Sequence, residues 1–161
     1  MSNSHGTQLT VERNYRTVTG LAVGSGLVAG AVIEEGAEIM TLSDCVPAEA
    51  TKYTIQVERD KHVIGTDIRF LNHSCDPSTY VDAAAGNVVA TRRLVPGDEL
   101  TFFYPSTEWE MASPFTCACA APGCVGKVTG AAFLAEDVLN GYRINAHIQE
   151  LLAERDVEPR S

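Results

Sequence analysis

Three of the five cysteines of this chain stand close together, in the sequence CACAAPGC. They have the spacing C-x-C-x4-C and are Cys117, Cys119 and Cys124. Pro122-Gly123 supplies a turn that brings the third thiol back toward the first two. Three neighbouring thiolates are typical of a tetrahedral zinc site that lacks one ligand. Unless these are only small apolar side chains of a core, the fold must bring a fourth ligand to this loop.

The fourth ligand has to come from Cys45, Cys75 or one of the four histidines. Cys75 lies in the stretch FLNHSCDPSTY, where Asp76-Pro77 biases the backbone toward a turn or an extended conformation. A side chain in such a turn is presented rather than packed, so Cys75 is the preferred ligand. Cys45, in SDCVPAEA, has no comparable neighbours and is expected to be a free thiol.

Length and composition predict a single soluble domain. A chain of 161 residues can bury roughly two-thirds of the surface that its unfolded form exposes. No apolar run approaches the roughly 20 residues of a membrane helix. The polar N-terminus lacks the apolar segment of a secretory signal, which favours an intracellular location, cytoplasmic or nuclear. A net charge of −9 without a Lys/Arg cluster disfavours direct binding of nucleic acid.

Short β-strands are predicted over most of the chain. The segment from Leu21 to Met40 combines apolar runs with four glycines, a pattern of short strands joined by tight turns. The sequence YTIQVERDKHVIGT predicts a hairpin that turns at 58–61. The sequence NVVATRRLVPGDELTFFY predicts strands over 88–91 and 99–104.

The C-terminal segment has a different period. Between residues 131 and 155, apolar side chains recur every three or four positions, which predicts an amphipathic helix. Gly141 is expected to bend this helix or divide it in two. Leu151 and Leu152 stand near a polar end of the helix and suggest a possible homodimer through it.

Three separated stretches, together with the cysteine loop, resemble the SET-domain methyltransferases. GSGLVAGAVIEEGAEIM resembles the Gly-rich opening segment of that family. RFLNHSCDP resembles its Arg-Phe-(Ile/Leu)-Asn-His-Ser-Cys-Asp-Pro signature, and GDELTFFY resembles its Gly-Glu-Glu-Leu-Thr-Phe-Asp-Tyr motif. CACAAPGC has the spacing of the family's post-SET zinc motif. The resemblance covers about residues 13–130.

The resemblance implies a mainly β protein, a SET fold of small curved β-sheets. In that fold the Asn-His-Ser-Cys segment passes beneath the C-terminal Tyr segment in a pseudoknot-like crossing. A post-SET zinc loop and a C-terminal amphipathic helix would follow. The expected boundaries are a SET domain over 11–112, a post-SET zinc segment over 113–130 and a helical tail over 131–155.

The resemblance also implies the roles of individual residues. The expected S-adenosylmethionine-binding residues are Gly24, Ser25, Gly26, Leu27, Arg69, Asn72, His73 and Tyr104. The expected Zn²⁺ ligands are Cys75, Cys117, Cys119 and Cys124. Tyr104 takes the family's catalytic position, and Tyr53 is preferred to Tyr80 as a second catalytic tyrosine of the channel. Phe102 stands where the family's Phe or Tyr affects how many methyl groups fit.

The implied activity is S-adenosylmethionine-dependent methyl transfer, with a protein lysine ε-amine as the expected acceptor. The chain has no room for a pre-SET region, its insert over 41–66 is short, and Phe103 replaces the family's usual Asp. These departures keep a small-molecule amine or carboxylate open as the acceptor. A catalytically silent binding module held by zinc is the remaining alternative.

Overall fold

The computed structural model describes residues 15–18, 26–117, 119 and 121–157. Its strands are β1 Tyr15–Val18, β2 Gly26–Ala29, β3 Glu38–Thr41, β4 Val46–Ala48, β5 Ile55–Glu58, β6 Lys61–Ile64, β7 Asn72–His73, β8 Thr79–Asp82, β9 Asn87–Ala90, β10 Thr101–Phe102, β11 Phe115–Thr116 and β12 Lys127–Val128. Its α-helices are α1 Glu136–Leu139 and α2 Ala146–Val157, and its 3-10 turns are Ile68–Phe70, Tyr104–Ser106 and Ala131–Phe133.

The strands of the described ranges form small sheets rather than one large sheet. Two sheets have three antiparallel strands, in the orders β3-β9-β8 and β4-β6-β5. The pairs β1-β2 and β11-β12 are antiparallel ribbons. The hairpin expected around 58–61 is present as β5 and β6. The mainly β fold expected from the sequence is confirmed.

The strands β7 and β10 form the pair that organises the site. They run parallel, with Asn72 opposite Thr101 and His73 opposite Phe102. Because parallel neighbours need a long crossover, the chain travels through the β8-β9 hairpin between them. The Asn-His-Ser-Cys segment and the Tyr segment, distant in sequence, therefore lie side by side, as the pseudoknot-like crossing requires.

The main core lies between the small sheets. In β2 and β9 buried residues alternate with half-buried ones, and Leu27, Ala29, Val88 and Ala90 point inward. This period of two is what a strand with one buried face produces. The core closes around Leu100 and other fully buried aliphatic side chains.

A second apolar cluster joins the β region to the tail. Phe103, where the family usually has Asp, is buried and stacks on Tyr142 with ring centroids 3.6 Å apart. The Tyr142 hydroxyl donates to the Cys75 carbonyl at 2.7 Å. Leu139 and Ile148 complete the buried centre of this cluster. The apolar residue at 103 therefore serves as a docking point for the C-terminal segment.

One detail of secondary structure differs from the sequence-based expectation, and the division of the tail agrees with it. The strand expected over 99–104 is only two residues long, because the chain turns into a 3-10 helix at Tyr104, whose second residue is Pro105. The tail contains two helices, separated by the segment that includes Gly141.

Leu151 and Leu152 pack against the second cluster of their own chain. No helix among the described residues is long and apolar enough to cross a bilayer.

Candidate functional site

Four cysteine thiols converge where the β region meets the tail. The Sγ atoms of Cys75, Cys117, Cys119 and Cys124 all lie within 4.8 Å of one another. The Sγ atoms of Cys75 and Cys117 are 3.9 Å apart. Ligands at about 2.3 Å from a tetrahedral zinc stand about 3.8 Å apart. The cluster therefore has the dimensions of a four-thiolate metal site.

Backbone N–H groups of the cysteine loop point at the four thiols. Each Sγ accepts a backbone N–H at 3.4–3.5 Å, from Cys119, Ala121, Val125 or Gly126. Burial raises the pKa of Cys75. At Cys119 burial also acts to raise the pKa, but backbone N–H donors and the neighbouring thiols outweigh it and lower the pKa to about 6. Such charge-stabilising donors suit thiolates that hold a cation.

Cys45 lies apart from this cluster. Burial and the adjacent Asp44 carboxylate raise the pKa of its thiol to about 11. A thiol with so high a pKa stays protonated at neutral pH and is a poor metal ligand. Its place in the structure agrees with the expectation of a free thiol.

His73 connects the cysteine cluster to Tyr104. Its Nδ1 accepts the backbone N–H of Tyr104 at 3.1 Å, and its Nε2 lies 3.3 Å from the Cys75 Sγ. Burial lowers the pKa of His73 to about 4, so the ring is neutral. Since Nδ1 accepts, the ring proton is on Nε2 and points to the thiol.

Tyr104 lines a narrow channel together with Leu71 and Phe102. Its hydroxyl donates to the Leu71 carbonyl at 2.9 Å, and its ring lies 4.7 Å from that of Phe102. Burial raises the pKa of Tyr104, with a further increase from nearby carboxylates. The hydroxyl is therefore neutral at all physiological pH values. The channel has a volume of ≈ 20 Å³, enough for about one water-sized group.

The structure separates the two candidates for the second tyrosine. Tyr53 lines the channel and is half-exposed at its mouth. Tyr80 is buried on β8 beneath the Arg143 guanidinium, 4.0 Å from the ring centroid, and lines a different cavity. Arg69 also lines the channel, and its Nε donates to a backbone carbonyl at 3.1 Å.

Glu108 is a channel residue that the sequence reading did not select. It lies one helical turn after Tyr104 and is only 7% exposed. Burial raises the pKa of Glu108 to about 7, against the opposing effect of its hydrogen bonds. In the sequence STEWEM nothing distinguishes this glutamate from a surface residue, because its burial depends on the tertiary fold.

Three of the expected cofactor residues, Gly26, Leu27 and Asn72, lie on strands β2 and β7. Gly26 and Asn72 are adjacent, since a Cβ added to Gly26 would lie 3.1 Å from the Asn72 Nδ2. The same Nδ2 donates to Glu99 Oε2 at 3.2 Å. Leu27 is fully buried and contributes its side chain to the core. The expected residues Gly24 and Ser25 lie outside the described residues.

Comparison with known proteins identifies the family of this chain. The family model of the SET domain matches residues 24–105, about half of the chain. The chain belongs to the SET-domain family. Its parallel β7-β10 pair and its mainly β architecture are thus features of a SET-domain methyltransferase.

Relatives of known sequence differ in how much they share with this chain. The methyltransferase flvH of Aspergillus flavus is 38% identical over 122 residues, which are 73% of this chain and 68% of that protein. The H3 lysine-36-specific histone-lysine N-methyltransferases of Candida glabrata and Saccharomyces cerevisiae are 35% and 34% identical over 77 residues. Those 77 residues are 44% of this chain, which spans only 11% and 10% of these two enzymes.

Solved structures show the same fold at low identity. KRYPTONITE in complex with mCHG DNA and SAH superimposes with a TM-score of 0.55 and 20% identity, over 75% of this chain and 30% of that chain. A complex of KRYPTONITE with mCHH DNA, an H3(1-15) peptide and SAH gives a TM-score of 0.52. At this identity the likeness shows the fold alone.

Proposed function

We propose that this protein is an S-adenosylmethionine-dependent N-methyltransferase whose acceptor is an amine. The observation that carries the proposal is the partly buried Tyr104 in a narrow channel, beside the segment that holds Asn72. An acceptor that reaches Tyr104 through this channel loses its hydration water. The acceptor nitrogen is then confined to one approach direction, which is the main requirement of an in-line displacement.

The described residues can hold the cofactor near this channel. Gly26 has no Cβ, and a Cβ there would lie 3.1 Å from the Asn72 Nδ2, so the close approach of these two expected cofactor residues depends on the glycine. S-adenosylmethionine, when bound, supplies a methyl group on a sulfonium, and the amine nitrogen bonds to that carbon while the S–C electron pair remains on sulfur. Tyr104 contributes a neutral hydroxyl oxygen, and a fixed oxygen dipole stabilises positive charge near the transferred group.

We further propose that the four cysteines hold one Zn²⁺ ion. Its role is structural, because four protein thiolates leave no open position for a substrate. The ion would fasten the loop of Cys117 to Cys124 onto the end of β7 through Cys75. Free thiols in such a site require a reducing compartment, so we place the protein in the cytoplasm or nucleus.

The first candidate acceptor is the ε-amine of a protein lysine. A butylammonium chain is slender enough for a narrow channel, and the histone methyltransferase relatives align with this chain over 77 residues. A small-molecule amine is the second candidate. It is favoured by the short segment 41–66. A carboxylate acceptor is disfavoured, because the buried Glu108 would repel it.

Calorimetry with S-adenosylmethionine and transfer of its labelled methyl group test this proposal. The full chain is incubated in parallel with a protein extract and with a metabolite extract. Label in lysine side chains supports the first candidate, and label only in small amines supports the second. Absence of both cofactor binding and label transfer would overturn the enzymatic proposal and leave a binding module held by zinc.

A matched pair of tyrosine variants makes this experiment specific. Tyr104→Phe removes the hydroxyl from the channel, whereas Tyr80→Phe removes one from the other cavity. We expect label transfer to fall strongly in the first variant and to change little in the second. Equal losses in both would indicate that the tyrosines act only through stability.

A further inference from the structure

Glu108 and Tyr104 are held on one face of the same short turn. The backbone N–H groups of Thr107 and Glu108 both donate to the Tyr104 carbonyl, at 3.0 Å each. Residues four apart on such a turn point in the same direction. Both side chains line the channel, and the Glu108 carboxylate contributes to the raised pKa of Tyr104.

The Glu108 carboxylate has one engaged and one unengaged oxygen. Its Oε2 accepts the backbone N–H of Gln56 at 2.7 Å and the hydroxyl of Thr107 at 2.9 Å. Within the part of the chain that the structure describes, its Oε1 accepts no hydrogen bond. The carboxylate is thus fixed in position by one oxygen, while the other remains available in a channel that admits one water-sized group.

We propose that Glu108 recognises the cationic head of the amine substrate and accepts its proton before methyl transfer. This inference rests on the proposed function and adds the group that selects the substrate. A buried carboxylate is costly unless a cation or hydrogen bonds compensate it, and the ammonium head of an alkylamine is a cation of about the size of water. The channel therefore accepts primary and secondary ammonium groups and excludes alcohols and carboxylates of the same length.

The proton step balances within the channel. One N–H bond of the ammonium breaks, its electron pair stays on nitrogen as the nucleophilic lone pair, and the proton forms an O–H bond on Glu108. The burial that raises the pKa of Glu108 to about 7 also lowers the pKa of an amine in the same site. The two groups thereby become closer in proton affinity, which favours transfer.

Other charged and titratable groups near Glu108 have to be considered in its pH dependence. Those that line the channel are Lys52, Tyr53, Arg69 and Tyr104. Behind the turn, His147 Nε2 contacts the Thr107 carbonyl at 2.9 Å. The competing explanation is that Glu108 only anchors the Gln56 backbone to the turn. Glu108→Gln separates the two, because the amide oxygen can keep these hydrogen bonds while the charge is lost.

Carbon-13 NMR of the glutamate carboxyls, with S-adenosylhomocysteine present, tests recognition directly. The probes are n-butylammonium and n-butanol, which have equal length and differ in charge. We expect n-butylammonium to lower the titration midpoint of Glu108 below about 7, and n-butanol to leave it unchanged. If neither probe changes the titration midpoint of Glu108, or if both probes shift it equally, the inference is overturned. Glu108→Gln identifies the resonance.

Label transfer then tests the proton step. Glu108→Gln is expected to lower the kcat/KM of methyl transfer to the acceptors in the extract about a hundredfold. It should also remove the rise of kcat/KM as the pH increases through about 7. Glu110→Gln, an exposed neighbour with the same charge change, should behave as the wild type. If the wild type transfers methyl groups and Glu108→Gln matches it, the inference fails while the proposed function stands. If the wild type neither binds the cofactor nor transfers label, the proposed function fails, and the NMR result alone decides whether Glu108 binds ammonium.

Discussion

Asn145 fastens the C-terminal helix to the SET domain, and its replacement gives a sharp test of that contact. Its side chain is only 3% exposed. Its Nδ2 donates to the carbonyls of Val81 and Ser106 at 2.8 and 3.0 Å, and its Oδ1 accepts the N–H of Ala83 at 2.8 Å. The helix α2, strand β8 and the turn that carries Tyr104 therefore share one amide.

The change Asn145→Ala removes all three side-chain hydrogen bonds. Each such bond contributes about 1 kcal/mol net, and a buried polar group left unpaired costs about 1–3 kcal/mol. The Ser106 carbonyl keeps the backbone N–H of Asn145, at 3.1 Å, so its loss is the smallest. The Val81 carbonyl loses this partner in a buried setting, and the Ala83 N–H loses it in a partly buried one. We therefore expect the free energy of unfolding to fall by about 3–5 kcal/mol.

Urea denaturation of the metal-loaded protein, followed by tryptophan fluorescence, measures this loss from the shift of the midpoint at constant slope. Asn140→Ala is the control, because Asn140 lies exposed in the same tail and should change stability by less than about 0.5 kcal/mol. A loss below about 1 kcal/mol in Asn145→Ala would refute the reasoning, since it would mean that water replaces these bonds at no cost.

Three further substitutions test the site and the fold. Tyr104→Phe should reduce turnover while calorimetry shows nearly unchanged cofactor affinity, because among the described residues the hydroxyl bonds only to Leu71. An equal loss of binding would make Tyr104 structural. Cys75→Ser should reduce bound zinc from about one per chain to well below it by metal analysis, and an unchanged content would remove Cys75 from the ligand set. Gly130→Ala should lower the unfolding free energy by more than about 1 kcal/mol, because Gly130 has φ 120° and a Cβ there would collide with the Trp109 carbonyl; an unchanged urea midpoint would contradict this.

Local patterns were sufficient to predict much of the fold. The charged turn between β5 and β6 and the alternation in β9 are short-range signals, and both elements are present. The convergence of Cys75 with the cysteine loop was also predictable, because C-x-C-x4-C leaves a tetrahedral site one ligand short. These features depend on residue type and spacing, which a sequence contains directly.

Features that depend on tertiary packing were not predictable in the same way. The aromatic run before Tyr104 has the composition of a strand, and only the structure shows that the chain turns there. Tyr53 and Tyr80 both occur in strand-like sequence, and the sheet arrangement decides which one lines the channel. Glu108 stands in a polar segment, so its burial beside Tyr104 appears only once β5 and the turn are packed together.

The contacts of His73 explain how the cysteine loop and Tyr104 can both depend on one short segment. Cys75 belongs to the thiol cluster, and two residues earlier the His73 ring accepts the backbone N–H of Tyr104. The second ring nitrogen faces the Cys75 Sγ at 3.3 Å, so the orientation of one imidazole is set from both sides. A ring held by two fixed partners cannot rotate without losing a hydrogen bond. The position of Tyr104 is therefore coupled to the order of the cysteine cluster, although neither touches the other directly.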